Sequence, residues 1–304
     1  MISTGTPMTY IFPKLSRFNL LAFRVAGPGL GNLLYPWARA EVCARNFGLP
    51  IINPTWFQFK LGPFLRGEKD KRTYVNLFSP ADGYITGVSK LASLAVARWV
   101  SEMEFAHNPG VWTKRRDNIV VTYEGLGRYF ADILPDHEYV FRRLLSIARD
   151  AHKSGLAFNF ANSISVHVRL ADFKVLNQVT RFDFFKETIT ALRRALGSLK
   201  LWIFTDGAAT EVSEFISLGD AEVVTFGSSL ADLLALARSN ILVASGNSTF
   251  GWWASYLGRM PVIWPRTTTT SAIYYERPDR ELFFEAGGTI PQSFINEAAI
   301  ANIR

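Results

Sequence analysis

One cysteine, Cys43, is all the chain contains, so it cannot form an intramolecular disulfide, and a reducing compartment is indicated. Histidine is nearly as scarce: His107, His137, His152 and His167 lie at none of the spacings that hold zinc, so no metal is expected. Long apolar runs are missing too. A membrane-crossing helix needs about 20 apolar residues in succession, whereas residues 18–26 are broken by Arg24 and run into a glycine-rich turn. Residues 1–10 are polar, and Lys14 and Arg17 interrupt the next stretch, which is not the layout of an export signal. These absences lead to the expectation of a cytoplasmic protein.

Acidic residues are outnumbered, 26 against 33 basic, giving a net charge of +7 that favours anionic partners. Nucleic acid is not expected among them, because no reader motif or arginine–aromatic platform is present. What the chain has in quantity is hydrophobic residue, 48% against 19% charged, which is the balance of a globular protein rather than a disordered one. Its 304 residues fit roughly two domains of about 150.

The second half alternates strand and helix patterns. Apolar, β-rich runs at residues 163–168, 201–205, 221–226, 241–244 and 261–264 read as strands. Between them Phe185, Ile189, Leu192 and Leu196, and then Leu230, Leu233, Leu234 and Ala237, trace helical stripes. Ser229 and Asp232 have capping-box spacing. Such alternation predicts a parallel sheet wrapped by helices. The first half predicts a strand at 19–25, a turn from Gly27 to Gly31, a helix carrying Leu33, Trp37, Ala40, Ala44 and Phe47, a strand at 49–52, a helix at 90–103, a strand at 118–123 and a helix at 138–154. Gly, Asn and Ser cluster at 155–163, which places a domain boundary at 158/159.

Three segments carry chemistry. The turn through Gly27, Gly29, Gly31 and Asn32 joins a strand to a helix, where backbone N–H groups can receive an anion. It lacks the dinucleotide pattern, because the third glycine comes one residue early and the next strand ends in Asn53, which opposes an oxidoreductase. His167, Arg169 and Asp172 stand where a strand ends, and an arginine there can pair with phosphate while Asp172 orients it or a substrate hydroxyl. An ordinary ion pair between Arg169 and Asp172 is the competing reading. Asn247, Ser248, Thr249 and Phe250 open a helix that continues through Trp252 and Trp253, so they suit either a diphosphate or a plain helix cap. The mixed-sign run from Arg66 to Arg72 reads as a solvated loop or as a contact for an anionic lipid-linked acceptor at a membrane surface.

Taken in order, residues 27–32, His167 to Asp172, Phe204-Thr205-Asp206 and residues 247–257 resemble the motifs of the α-1,2-fucosyltransferases, glycosyltransferase family 11, over about residues 20–265. The resemblance implies an α/β, GT-B-type fold of two Rossmann-like lobes with a nucleotide-sugar cleft between them. The N-terminal lobe, 1–158, would be the acceptor side; the lobe 159–304 would bind the nucleotide sugar, with its C-terminal segment packing back on the first. It further implies inverting transfer of L-fucose from GDP-fucose to O2 of a galactose-like residue in an oligosaccharide or lipid-linked glycan, with no cofactor and no metal. Arg169 and Asp172 would be catalytic. Gly29, Gly31, Asn32, His167, Arg169, Asp206, Asn247, Ser248, Thr249 and Phe250 would bind the donor, with Asp206 reading guanine. The chain departs from the family pattern at Leu170, where a second arginine is usual, at Gly207, where a second acid is common, and at Gly251, where serine is usual. These departures keep open a different GDP-sugar donor or a nucleotide-sugar-binding protein with weak turnover, and Asp183 is an alternative base to Asp172.

Overall fold

The structure is a computed structural model that describes residues 8–16, 19–20, 23–65, 71–268, 273, 277–285 and 287–303. Of the charged run, only Lys71 and Arg72 fall within them; Arg66 to Asp70 lie outside. The chain divides into two compact units, Met1–Leu61 with Arg72–Arg149, and Gly62–Lys71 with Asp150–Arg304.

In the first unit, strands β1 (Thr9–Pro13), β2 (Asn19–Leu20), β3 (Phe23–Val25), β4 (Gln58–Phe59), β5 (Arg98–Ser101) and β6 (Ile119–Tyr123) form two three-stranded sheets. The parallel sheet has the order β1-β6-β5. Its alternation decides its two faces. Ile11, Ile119, Val121 and Tyr123 meet Ala40, Cys43 and Ala44 of α1 (Leu30–Phe47) on one side, while Phe12 and Val120 meet Leu94 on the other. Residues 49–52, expected as a strand, make only single parallel bridges, Ile11 to Ile51 and Ile52 to Ile85. Leu94 belongs to α3 (Gly87–Val96), and α2 (Leu61–Leu65) lies where the chain passes into the second unit at Gly62.

The helix expected at 90–103 is instead α3, then β5, then α4 (Glu102–His107), because Ser101 and Glu104 form a capping box that starts a new helix. A short α5 (Pro109–Thr113) follows, and the helix expected at 138–154 is α6 (His137–Ile147) followed by single 3-10 turns. The expected strand at 19–25 is two short strands, and the glycine turn hangs from their minor sheet, β2-β3-β4, not from the parallel one.

The second unit is a six-stranded, all-parallel sheet of order β12-β11-β10-β7-β8-β9. Its strands are β7 (Ser163–Val168), β8 (Lys200–Thr205), β9 (Ala221–Val223), β10 (Leu242–Ala244), β11 (Val262–Pro265) and β12 (Glu281–Phe284). Every residue of β7 and β10 is buried, as central strands covered on both faces require. Helices α7 (Ala171–Val175), α8 (Phe182–Leu196), α9 (Ser213–Ile216), α10 (Ser229–Leu236), α11 (Thr249–Gly258) and α12 (Gln292–Ile303) complete the unit. The sequence reading missed β12, whose Glu281 looks too polar for a strand; Trp264 Nε1 donates to Glu281 Oε1 at 2.8 Å and makes that burial tolerable.

Within the second unit, Phe294 and Ala298 of α12 lie in the core with Leu192 of α8. Residues 150–158, assigned by sequence to the first lobe, fall in the second unit: His152 Nδ1 is 2.9 Å from Ser228 Oγ, and Gly155 is packed so tightly on α10 that a Cβ there would lie 2.5 Å from that of Ala235. No helix among the described residues is long and apolar enough to cross a membrane.

At the end of α11, a Cβ on Gly258 would lie 2.0 Å from the carbonyl oxygen of Ala237. Backbone cannot yield as a side chain can, so Gly258→Ala is expected to cost about 2–3 kcal/mol and lower the melting temperature of the second unit by several degrees. A thermal scan showing an unchanged midpoint would refute this packing.

Candidate functional site

Chain direction creates the site. From β7 the chain runs outward through β8 and β9, then returns to place β10 on the other side of β7. That reversal is a topological switch point, and the carboxyl ends of the two strands that flank it are where open α/β sheets hold ligands. Arg169 follows β7, and Ser245 follows β10. The Ser245 backbone N–H donates to the His167 carbonyl at 2.9 Å, and the Arg169 N–H donates to Ser245 Oγ at 2.9 Å, so the two strand ends are tied together.

Parallel register adds the third element. Val168 pairs with Thr205 across β7 and β8, which brings the next residues, Arg169 and Asp206, side by side. Arg169 Nη1 lies 2.7 Å from Asp206 Oδ2, and Nη2 donates to Asp172 Oδ1 at 2.7 Å. One cation is thus held between two carboxylates. A guanidinium has five N–H groups, and two contacts leave three for a ligand. Asp206 Oδ1 also accepts from the N–H groups of Leu170 at 2.8 Å and Ala171 at 3.3 Å, so this carboxylate caps the start of α7 while it holds Arg169.

The departures at 170 and 207 explain one another. Leu170 is buried, and a Cβ on Gly207 would sit 2.6 Å from Leu170 Cδ1 and 2.8 Å from Glu211 Oε2. A side chain at 207 would need both Leu170 and Glu211 to shift. His167 is buried, stacked on Phe250 with ring centroids 5.4 Å apart. Gly251 gives it space, since a Cβ there would lie 3.2 Å from the imidazole Nδ1, which has no hydrogen-bond partner among the described residues. Burial, reinforced by the charge of Arg169, pushes the His167 pKa down to about 3, so the ring is neutral and acts as a spacer beneath Phe250.

Helix α11 starts at the same edge. Asn247 is held at φ +55°, an uncommon conformation for a residue other than glycine, and buried Ser248 is the N-cap without a side-chain cap bond. The structure therefore gathers His167, Arg169, Asp172, Asp206, Asn247, Ser248, Thr249 and Phe250 at neighbouring strand ends. Gly29, Gly31 and Asn32 belong to the first unit, where Gly29 is the N-cap of α1, also without a side-chain cap bond. Beneath that turn Arg24 is fully buried, donating to the carbonyls of Leu15 and Trp56. Gly27, at φ +142°, tolerates no side chain because a Cβ would lie 2.8 Å from Arg24 Nη1.

Sequence reading missed the role of Ser245, whose signal was its position directly after a buried strand. It also misplaced one cap. Ser228, not Ser229, caps α10 by accepting from Ala231 N at 3.2 Å, and Asp232 instead accepts from the N–H of Phe226.

No protein-family model and no curated protein matches the chain. Solved structures do. The α-1,6-fucosyltransferase NodZ soaked with GDP-fucose aligns at 16% identity over 88% of this chain and 97% of that one, with a TM-score of 0.50. The fucosyltransferase NodZ from Bradyrhizobium in another structure aligns at 15% identity over 88% and 97%, also at 0.50. FUT1 of Arabidopsis thaliana, as a variant in complex with GDP, aligns at 14% identity over 89% and 74%, at 0.49. The chain shares the NodZ fold. The α/β, GT-B-like architecture expected from the sequence is therefore the one found, with parallel sheets in both units.

Within the NodZ fold of this chain, the buried His167 makes stability depend on pH. Its folded pKa lies below the unfolded value near 6.5, so the unfolded chain binds the extra proton and stability falls as pH drops from about 6.5 towards 3. The loss between pH 6.5 and 5 should be about 2 kcal/mol. Denaturant titrations of wild type and His167→Gln at both pH values test this, with the variant expected to show the flatter dependence; equal slopes would contradict it.

Proposed function

We propose that the chain is a glycosyltransferase that moves L-fucose from GDP-fucose to O2 of a galactose-like residue in a surface glycan, inverting the anomeric carbon without a metal ion. The observation that carries this reading is the clamp on Arg169 at the switch point, beside the start of α11. The fold shared with a fucosyltransferase supports the class of reaction, and the motif order supports the linkage.

Departure of GDP develops negative charge on the β-phosphate. Arg169 presents a fixed guanidinium to that charge, and the backbone N–H groups that open α11 add the positive end of a helix dipole. Because Asp172 and Asp206 already hold the guanidinium, little reorganisation is needed as the charge forms. In this reading Asp206 holds Arg169 and the start of α7. Asp172 is the base in this reading. It orients the acceptor hydroxyl and takes its proton as the new glycosidic bond forms on the face opposite GDP.

A second reading, a GDP-sugar-binding protein with slow turnover, is favoured by Leu170, which puts a buried apolar group where a second cation would serve.

Thermal stabilisation by GDP, UDP, ADP and NAD, measured without metal on wild type and Arg169→Ala, tests the proposal. GDP alone is expected to raise the wild-type melting temperature, and the variant should lose that response. Transfer from GDP-fucose to lactose should fall at least a hundredfold in Arg169→Ala, equivalent to about 3 kcal/mol of transition-state stabilisation. Near-normal turnover in a folded Arg169→Ala would overturn the assignment; a GDP response without transfer in wild type would select the second reading.

A further inference from the structure

The second unit carries a cleft of about 910 Å³ that shares only Asn247 with the site described above. It opens along the carboxyl ends of β10, β11 and β12, against the segment that leads into α8 and the first two turns of that helix. One end is at Gly246 and Asn247, immediately before the α11 start, and the Gly246 N–H donates to Thr180 Oγ1 at 3.0 Å across the seam. Gly246 must be glycine there, because a Cβ would lie 2.8 Å from Thr268 Oγ1 and 2.9 Å from Pro265 Cγ.

The charges of the cleft argue for a neutral ligand. Asp183, Glu187 and Glu285 face two cations, Arg181 and Arg266, a net of −1 with all five ionised. Arg181 is already bound to Asp183 at 2.8 Å, and Arg266 lies 4.0 Å from Glu285. Sugar hydroxyls can donate to the carboxylates and accept from the guanidinium groups, so a neutral polyol uses both signs at once. Buried Phe184 and Phe284 and the ring of Pro265 supply an apolar floor for the C–H faces of a sugar. Glu187 is fixed in place, with its Oε2 accepting from the Gly287 N–H at 2.6 Å. Small-molecule sites run from about 300 to 1,000 Å³, so this volume suits an oligosaccharide end rather than one ring.

We propose that this cleft is an acceptor subsite that binds the neutral end of an oligosaccharide, with Glu187 and Asn247 hydrogen-bonding its hydroxyls. The proposal rests on the glycosyltransferase reading and moves part of acceptor recognition from the irregular segments of the first unit to the second. It does not need turnover to be tested.

Saturation-transfer NMR with the full chain would measure binding of lactose and of N-acetyllactosamine in the absence of any donor. Wild type should show transfer to both, and Glu187→Ala, at an exposed position, should weaken binding at least tenfold. Arg266→Ala provides a second variant with the same expected direction. Where fucose transfer is measured, Glu187→Ala should raise the acceptor KM about tenfold and leave the GDP-fucose KM unchanged. No saturation transfer to either glycan in wild type, or equal binding by wild type and both variants, would overturn the subsite. Failure of GDP to stabilise the wild type would sink the enzymatic reading instead, while glycan binding lost in Glu187→Ala would still stand.

Discussion

A single guanidinium, that of Arg169, shared by Asp172 and Asp206, is the contact around which the second unit's site is organised. A charge at the edge of a sheet is costly to desolvate unless its partners are placed before any ligand arrives. Here they are. Asp172 comes from the same turn as Arg169, and Asp206 comes from the next strand and is itself held by two backbone N–H groups. The arrangement leaves the arginine fixed, with donors to spare, which is what stabilising a developing anion requires.

The clamp depends on strand register. A slip of one residue between β7 and β8 would turn Asp206 to the other face and remove one of the two carboxylates. Register is in turn secured by burial: Ile164, Val166 and Val168 share a core with Leu201 and Ile203, and each fully buried aliphatic side chain contributes about 1.5–3 kcal/mol. Packing also accounts for the unusual residues at the site. Leu170 and Gly207 occupy one space between them, and Gly251 makes room for a neutral His167 that supports Phe250. Each substitution looks like a lost function along the chain and like a steric match in the fold.

Much of the second unit was legible in advance. The β-branched run at 163–168 and the helical stripe through Phe185, Ile189 and Leu192 each report a local period, and β7 and α8 lie where those periods put them. Elements whose stability comes from distant partners were not legible. β12 starts with Glu281, which is buried with Trp264 donating a hydrogen bond to its carboxylate, and β5 is cut from a longer helical pattern by the cap at Ser101. The second unit's cleft escaped notice because its walls come from segments spread between residues 177 and 285.

The sequence alone determined the alternation of strand and helix, the glycine turn, and the residues able to carry chemistry at strand ends, because all of these are written in local spacing. Only the tertiary structure decided that Arg169 meets Asp206, that Ser245 ties two strand ends, and that the last helix completes the second unit's core. Those outcomes depend on strand order and register, which arise when residues tens of positions apart bury a common apolar surface.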